Sequence, residues 1–407
     1  LNSEVVMSQQ DAAVLKSEPK PSLVPFNPRV VAISGVLIVV CAVLLALGVS
    51  TQKSVLFLIG AGLGFALLHG AFGFTAGWRT VVTRGDGRGL KAQLAVIAAT
   101  MLFFIPIIAG MLPGDRHYGG LIAPVSWTVV IGALMFGLGM QLGNGCGSGT
   151  LFTLGAGSKR MLFTLPGFII GSLLASLQIS WWQLPSIGTV NLAQVFGVTG
   201  ALAIGLAGLA IVWVIVEVWE RKYRREYSQM LPPRLQRQRF WQGPWNFLWA
   251  GLALVVLNVA TLLVGGFPWA VTYGFALWGA AIAAFAGLDV SAYTFWGWAK
   301  TPDTLYGAVV TNQQSVMNIG LILGAMLAAG LAGKFAKGPW PTLIGIVGAL
   351  LGGLLMGYGA RLSFGCNIGA FLGGLASGSR HGWVWFGAAF AGSLIGIRLR
   401  PAFGLGN

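Results

Sequence analysis

With 407 residues, 56% of them hydrophobic and 9% charged, the chain lacks the charge to cover a water-soluble surface, since soluble domains carry about 25% charged residues. Its net charge of +15 sits in short stretches between apolar runs. That excludes a nucleic-acid-binding face, fits cytoplasmic anchoring of a membrane protein, and favours an anionic solute. Three cysteines are too few for a disulfide framework or a cysteine-only zinc site, and no nucleotide, haem or metalloprotease motif occurs, so neither a cofactor nor a metal is expected.

In chain order, residues 1–28 form a polar tail, expected on the cytoplasmic side. The first apolar run is too long for a signal-peptide core and has no clear cleavage site. Candidate spans follow at 31–50, 55–77, 92–112, 123–142, 162–180, 194–216, 245–264, 270–287, 310–333, 341–360 and 382–397, several approaching the ~20 apolar residues that cross a bilayer. A basic linker at 217–243, including "ERKYRREYSQMLPPRLQRQR", separates a first membrane half (29–216) from a second (244–407). With "RTVVTRGDGRGLK" at 79–91 and Lys16, Lys20 and Arg29 in the tail, it predicts a cytoplasmic N-terminus in a bacterial plasma or inner membrane. Between the long spans lie two short apolar pieces, 147–157 and 367–377, each about half a bilayer long at ~1.5 Å per residue. Each follows a glycine-rich break holding a cysteine, "GNGCGSG" at 143–149 and "SFGCNIG" at 363–369. The expected fold class is an all-α polytopic membrane protein of two related helical repeats, with Gly-Cys half-helix or re-entrant breaks near the midplane.

The repeat shows at a fixed offset of 220 residues. Gly132/Gly352, Gly139/Gly359, Leu142/Leu362, Gly145/Gly365, Cys146/Cys366, Gly149/Gly369 and Arg160/Arg380 are among the matching pairs, more than a chain rich in Gly, Ala and Leu gives by chance. "GFAL" at 64–67 and 274–277 reads as a further echo. Transporters built from repeats bind their solutes where interrupted helices of the two halves meet, which singles out Cys146 and Cys366.

Each candidate has a bland alternative. Cys146 and Cys366 serve as small packing residues, or as thiols aimed at a path, where glycine-bared N–H groups face an anion and S–H is a weak donor. On the second reading the amides of Gly145, Gly147, Gly365 and Asn367 face the solute. Asn144, Ser148 and Asn367 are helix caps or solute contacts. Lys159, Arg160, Arg380 and His381 anchor helix ends at the interface, or form an electrostatic funnel. His69, inside an apolar span, is a functional candidate or a hydrogen-bonded helix contact. Cys41, with no glycine nearby, reads as filler.

These motifs resemble the YeeE/YedE family of membrane sulfur transporters. "GARLSFGCNIGAFLGGLASGSRHGW" at 359–383 is similar to the family's G-A-R-L-x-x-G-C-N segment, "GLGMQLGNGCGSG" at 137–149 to its partner, and "GLGFALLHGAFGFTAGWR" at 62–79 to a third motif. The resemblance implies uptake of thiosulfate, handed inward by path cysteines, and places Arg79 as the arginine closing the third motif. Where that motif carries a cysteine, this chain has Gly73, so either two thiols suffice or the solute is another sulfur or selenium species. The expected mechanism is stepwise S–H hydrogen bonding in a transporter or channel, not an enzyme. The partners expected are a sulfur-containing anion, the lipid bilayer and a cytoplasmic sulfur-carrier protein. The alternative class is a membrane sulfur-transfer protein that forms a persulfide on either cysteine.

Overall fold

The computed structural model describes residues 26–223, 240–298 and 308–406; most of the polar tail and of the basic linker lies outside them. The described chain is helical apart from one small antiparallel pair, Pro124–Ser126 with Ser186–Thr189. It runs through α1 (Pro28–Gly48), α2 (Thr51–His69), α3 (Phe74–Arg84), α4 (Arg88–Ile108), α5 (Trp127–Gly143), α6 (Gly147–Gly155) and α7 (Met161–Gln178). It continues through α8 (Leu192–Tyr223), α9 (Phe247–Gly265), α10 (Val271–Phe285), α11 (Gln313–Leu331), α12 (Leu343–Leu362), a short helix of π and then α winding (Asn367–Gly373, Gly374–Ala376), and α13 (His381–Leu399). Polar caps set several starts: Asn27, Ser50, Ser126, Asn246, Asn312 and Thr342 each accept a backbone N–H from the first turn that follows, satisfying donors that a helix start leaves open.

Ten helical stretches among the described residues are long and apolar enough to span a bilayer, so the chain is an all-α polytopic membrane protein. The 270–287 candidate is instead a 15-residue helix, α10. The 55–77 candidate breaks at Gly70–Gly73, leaving His69 as the last residue of α2.

The packing is reciprocal. α2 lies on α11 as α9 lies on α4; α1 on α11 as α8 on α4; α5 on α13 as α12 on α7; α7 on α10 as α13 on α3. Each of the first seven helices thus has an equivalent among the last seven, the 367–376 helix matching α6. By packing, α8 groups with the second set although it precedes the basic linker. "GFAL" falls in α2 and α10, which are not equivalents, so that echo is a product of composition.

The glycine pairs show how the halves are related. A Cβ built on Gly132 would lie 2.7 Å from Gly359 O, and one on Gly139 would lie 2.7 Å from Gly352 O. Rising numbers on α5 meet falling numbers on α12, so these helices run antiparallel. Exchanging the halves maps one contact onto the other, which makes the repeats inverted and related by a two-fold. Only glycine permits so close an approach of backbones. Gly137 of α5 against Ala389, and Gly357 of α12 against Phe168, repeat the device toward α13 and α7.

Candidate functional site

Both cysteines sit where the chain doubles back. At the ends of α5 and α12 the backbone turns through left-handed residues, Asn144 (φ 63°) and Phe364 (φ 57°). It then runs extended through Cys146 and Cys366, which hold the N-cap positions of the short helices that follow, Cys146 with a side-chain cap bond and Cys366 without one. α7 begins beside the end of α5: Arg160 Nη2 donates to Leu142 O at 2.7 Å and Thr164 Oγ1 to Gly143 O at 3.2 Å. Residues 144–160 therefore leave and return to the same end of α5. Trp385 Nε1, donating to Ser363 Oγ at 3.0 Å, ties α13 to the end of α12 in the same way. The two excursions enter from opposite ends and meet: a Cβ built on Gly147 would lie 3.2 Å from Cys366 Sγ and 3.3 Å from Thr272 Cγ2. Cys146 is 1% exposed and Cys366 0%, so neither thiol faces solvent.

Cys146 Sγ accepts the Gly149 N–H at 3.4 Å and lies 3.6 Å from Ser148 Oγ. A sulfur engaged as a cap acceptor still carries an S–H, which can go to Ser148 Oγ or to a solute. The amides expected to face an anion divide. Gly145 N–H donates to Met140 O and Gly365 N–H to Ala360 O; both are used inside the protein and are removed from that role. Gly147 and Asn367 hold the first position of their helices, where an N–H has no intrahelical acceptor. Asn367 is fully buried, and neither atom of its side-chain amide has a partner.

A cavity lies on each side of this meeting point. The first, about 230 Å³, is lined by Gly73, Arg79, Asn144, Gly145, Cys146 and Thr153 among others. Arg79 Nη1 and Arg400 Nη1 donate to Asn144 Oδ1 at 3.3 and 3.2 Å, and Arg400 also donates to Gln141 O. The second, about 510 Å³, is lined by Thr272, Tyr273, Phe295, Arg361, Phe364 and His381 among others. Arg361 Nη2 donates to Thr272 Oγ1 at 2.7 Å, its guanidinium lies 5.8 Å from the Phe295 ring centre, and its Nε has no partner. Among the described residues the ion pairs involve Asp86, Glu217 and Glu220, and none includes Arg79, Arg160, Arg361 or Arg400.

The remaining candidates separate. Lys159 stands over the Trp340 ring at 5.2 Å and Arg380 is exposed; neither lines the two cavities. His69 packs against Phe65 and Trp245 and lines neither of the two cavities. Cys41 packs partly buried in α1. Sequence reading passed over Arg361, Arg400 and Thr272. Arg361 lies within the quoted 359–383 motif, so a buried charge there was open to view; nothing near Arg400 in sequence connects it to Asn144.

The profile of the family described as "Sulphur transport" matches residues 69–395, four-fifths of the chain and all of this site but Arg400. The chain belongs to the sulphur-transport family. It is similar to the "Thiosulfate transporter TsuA" of Spirochaeta thermophila, 25% identical over 80% of this chain and 92% of that protein. The protein of the same name from Escherichia coli is 27% identical over 80% of this chain and 88% of its own length. The "Probable transporter YedE" of Escherichia coli is 32% identical, with the match covering 39% of each chain, so this chain spans about two-fifths of the length of that relative. The family's description is of transport and the TsuA relatives are named transporters, which sets the thiols in a transport protein rather than an enzyme.

Proposed function

We propose that the chain imports a small sulfur oxyanion with a terminal sulfur, thiosulfate above all, by passing it between the two cavities through the constriction at Cys366, Gly147 and Cys146. The observation that carries this reading is the meeting of two buried thiols, each at the start of a short helix, between two cavities lined by arginines without carboxylate partners. Helix N-termini carry positive partial charge, and protonated thiols offer a soft surface and a weak donor without repelling a dianion. The solute enters one cavity, its terminal sulfur takes the S–H of Cys366 and then of Cys146, and it leaves by the other. Binding is weak at each station, as passage requires.

Sidedness follows from charge. Arg79, Lys91, Lys159, Arg160, Arg221 and Arg400 gather at the end of the bundle where the Cys146 cavity opens, linked by Asn144, the Lys91–Glu217 pair and the close approach of Gly157 to Ala336. By the positive-inside rule that end is cytoplasmic, as are the N-terminus and the 217–243 linker, and the thiols lie near mid-membrane. A cytoplasmic sulfur-carrier protein would receive the ion at the Cys146 mouth.

The test is thiosulfate uptake in cells lacking other routes. Cys146→Ala/Cys366→Ala, folded and inserted as judged by a monodisperse elution profile, loses uptake at least tenfold. Full uptake by that variant overturns the reading.

A further inference from the structure

We propose that the 510 Å³ cavity on the Cys366 side is a binding site for small sulfonates of the form R–SO₃⁻. The –SO₃ head is held by Arg361 and His381, and R, a sulfur atom or a short apolar group, lies against Phe295 and Phe364. The inclusion of thiosulfate rests on the transport reading above; organic sulfonates extend it.

Two donors define the head site. Arg361 is 7% exposed, with its Nε unpartnered; a buried charge without a counter-ion is costly, so an anion there relieves a standing penalty. His381 is 1% exposed and its Nε2 has no partner. Its Nδ1 lies 2.7 Å from Ser379 Oγ, which already accepts the Ala123 N–H. In the tautomer that accepts the Ser379 hydroxyl at Nδ1, the neutral ring carries its hydrogen on the unpartnered Nε2. With that tautomer the cavity lining brings a fixed cation and a neutral donor to one anionic head.

Size and strain define the tail. A volume of about 510 Å³ falls in the range of roughly 300–1,000 Å³ typical of small organic ligands, far beyond the needs of a five-atom anion. Phe267, Phe295 and Phe364 give the wall an apolar side. Phe364 does so from left-handed backbone, φ 57°, where Asn144 stands in the other repeat. A bulky residue kept in a strained conformation on a cavity wall points to use by a ligand.

The experiment uses purified full-length protein carrying Cys146→Ala/Cys366→Ala, which removes thiol chemistry, and isothermal titration with thiosulfate and with ethanesulfonate. Both bind, and each displaces the other. Arg361→Met weakens both at least tenfold, His381→Phe weakens both, and His381→Gln, which keeps a donor, retains most of the affinity. Ethanesulfonate that neither binds nor competes overturns the proposal, as does unchanged affinity in a monodisperse Arg361→Met protein; should that variant misfold, unchanged affinity in His381→Phe does so. Ethanesulfonate binding without thiosulfate binding keeps the sulfonate site and removes the transport reading. Thiosulfate binding alone does the reverse.

Discussion

Gly147→Ala places one methyl group between the two thiols. The new Cβ would stand 3.2 Å from Cys366 Sγ, 3.3 Å from Thr272 Cγ2 and 3.6 Å from Cys366 Cβ, against the ~3.5–4.0 Å at which non-bonded atoms rest. The overlap is a few tenths of an ångström on two sides, so overpacking costs about 1 kcal/mol, the low end of its usual range. Replacing glycine in a helix returns up to about 1 kcal/mol. Folding stability is therefore nearly unchanged. On the proposed path transport is not, because the methyl occupies the passage. Loss of at least tenfold in thiosulfate uptake, equivalent to about 1.4 kcal/mol on the barrier, is expected at equal membrane abundance. Gly369→Ala is the matched control: it lies in the same segment of the other repeat, and a Cβ there meets no heavy atom within 4 Å. Gly147→Ala protein that takes up thiosulfate at the unsubstituted rate would show that the path does not run between Gly147 and Cys366.

Gly73→Cys is accommodated, since a Cβ there meets only Ala76 Cβ at 3.7 Å and its φ of −93° suits any residue. In the Cys146→Ala/Cys366→Ala background this thiol should react with an impermeant reagent in inside-out vesicles but not in intact cells, and thiosulfate should slow the reaction; the opposite sidedness would refute the assigned orientation. Phe364→Asn relieves left-handed strain worth about 1–2 kcal/mol and should raise the thermal unfolding temperature in detergent; a lowered temperature would mean that wall packing outweighs the strain. Gly137→Val drives a branched side chain into the Ala389 backbone and should abolish monodisperse expression. A normal elution profile would refute the close α5–α13 contact.

The glycines made the second part of each repeat legible. α5 and α12 must approach backbone to backbone, so Gly132, Gly139, Gly352 and Gly359 recur at a constant offset and carry the cysteines with them. The break before α3 carries no such mark. Apolar residues continue through Phe72–Gly73–Phe74, and hydropathy alone reads 55–77 as one uninterrupted span. The orientation of the repeats was hidden for a different reason: offset identities are the same whether the halves are parallel or inverted, and only the crossing of Gly132 with Gly359 decides. Arg400 was invisible because its partners, Gln141 O and Asn144, are set by the fold of the other half.

The electrostatics of the path bear on what drives uptake. Neither cavity is lined by an acidic side chain among the described residues, so its walls offer no carboxylate to carry a proton or sodium ion with the solute. A dianion moving inward alone works against an inside-negative potential, at about 2.3 kcal/mol per charge per 100 mV. For two charges that is about 4.6 kcal/mol, a roughly 2,000-fold exclusion at equilibrium. On the proposed path net import then requires the cytoplasm to consume the ion as it arrives, the role proposed above for a sulfur-accepting partner. Proteoliposomes test this without the partner. With a potassium diffusion potential imposed, inside-positive vesicles should accumulate labelled thiosulfate and inside-negative vesicles should exclude it, the ratio changing about tenfold for each ~30 mV, as two charges demand. Accumulation that ignores the potential would mean that compensating cations cross with the anion, and the reading of an uncoupled path would fall.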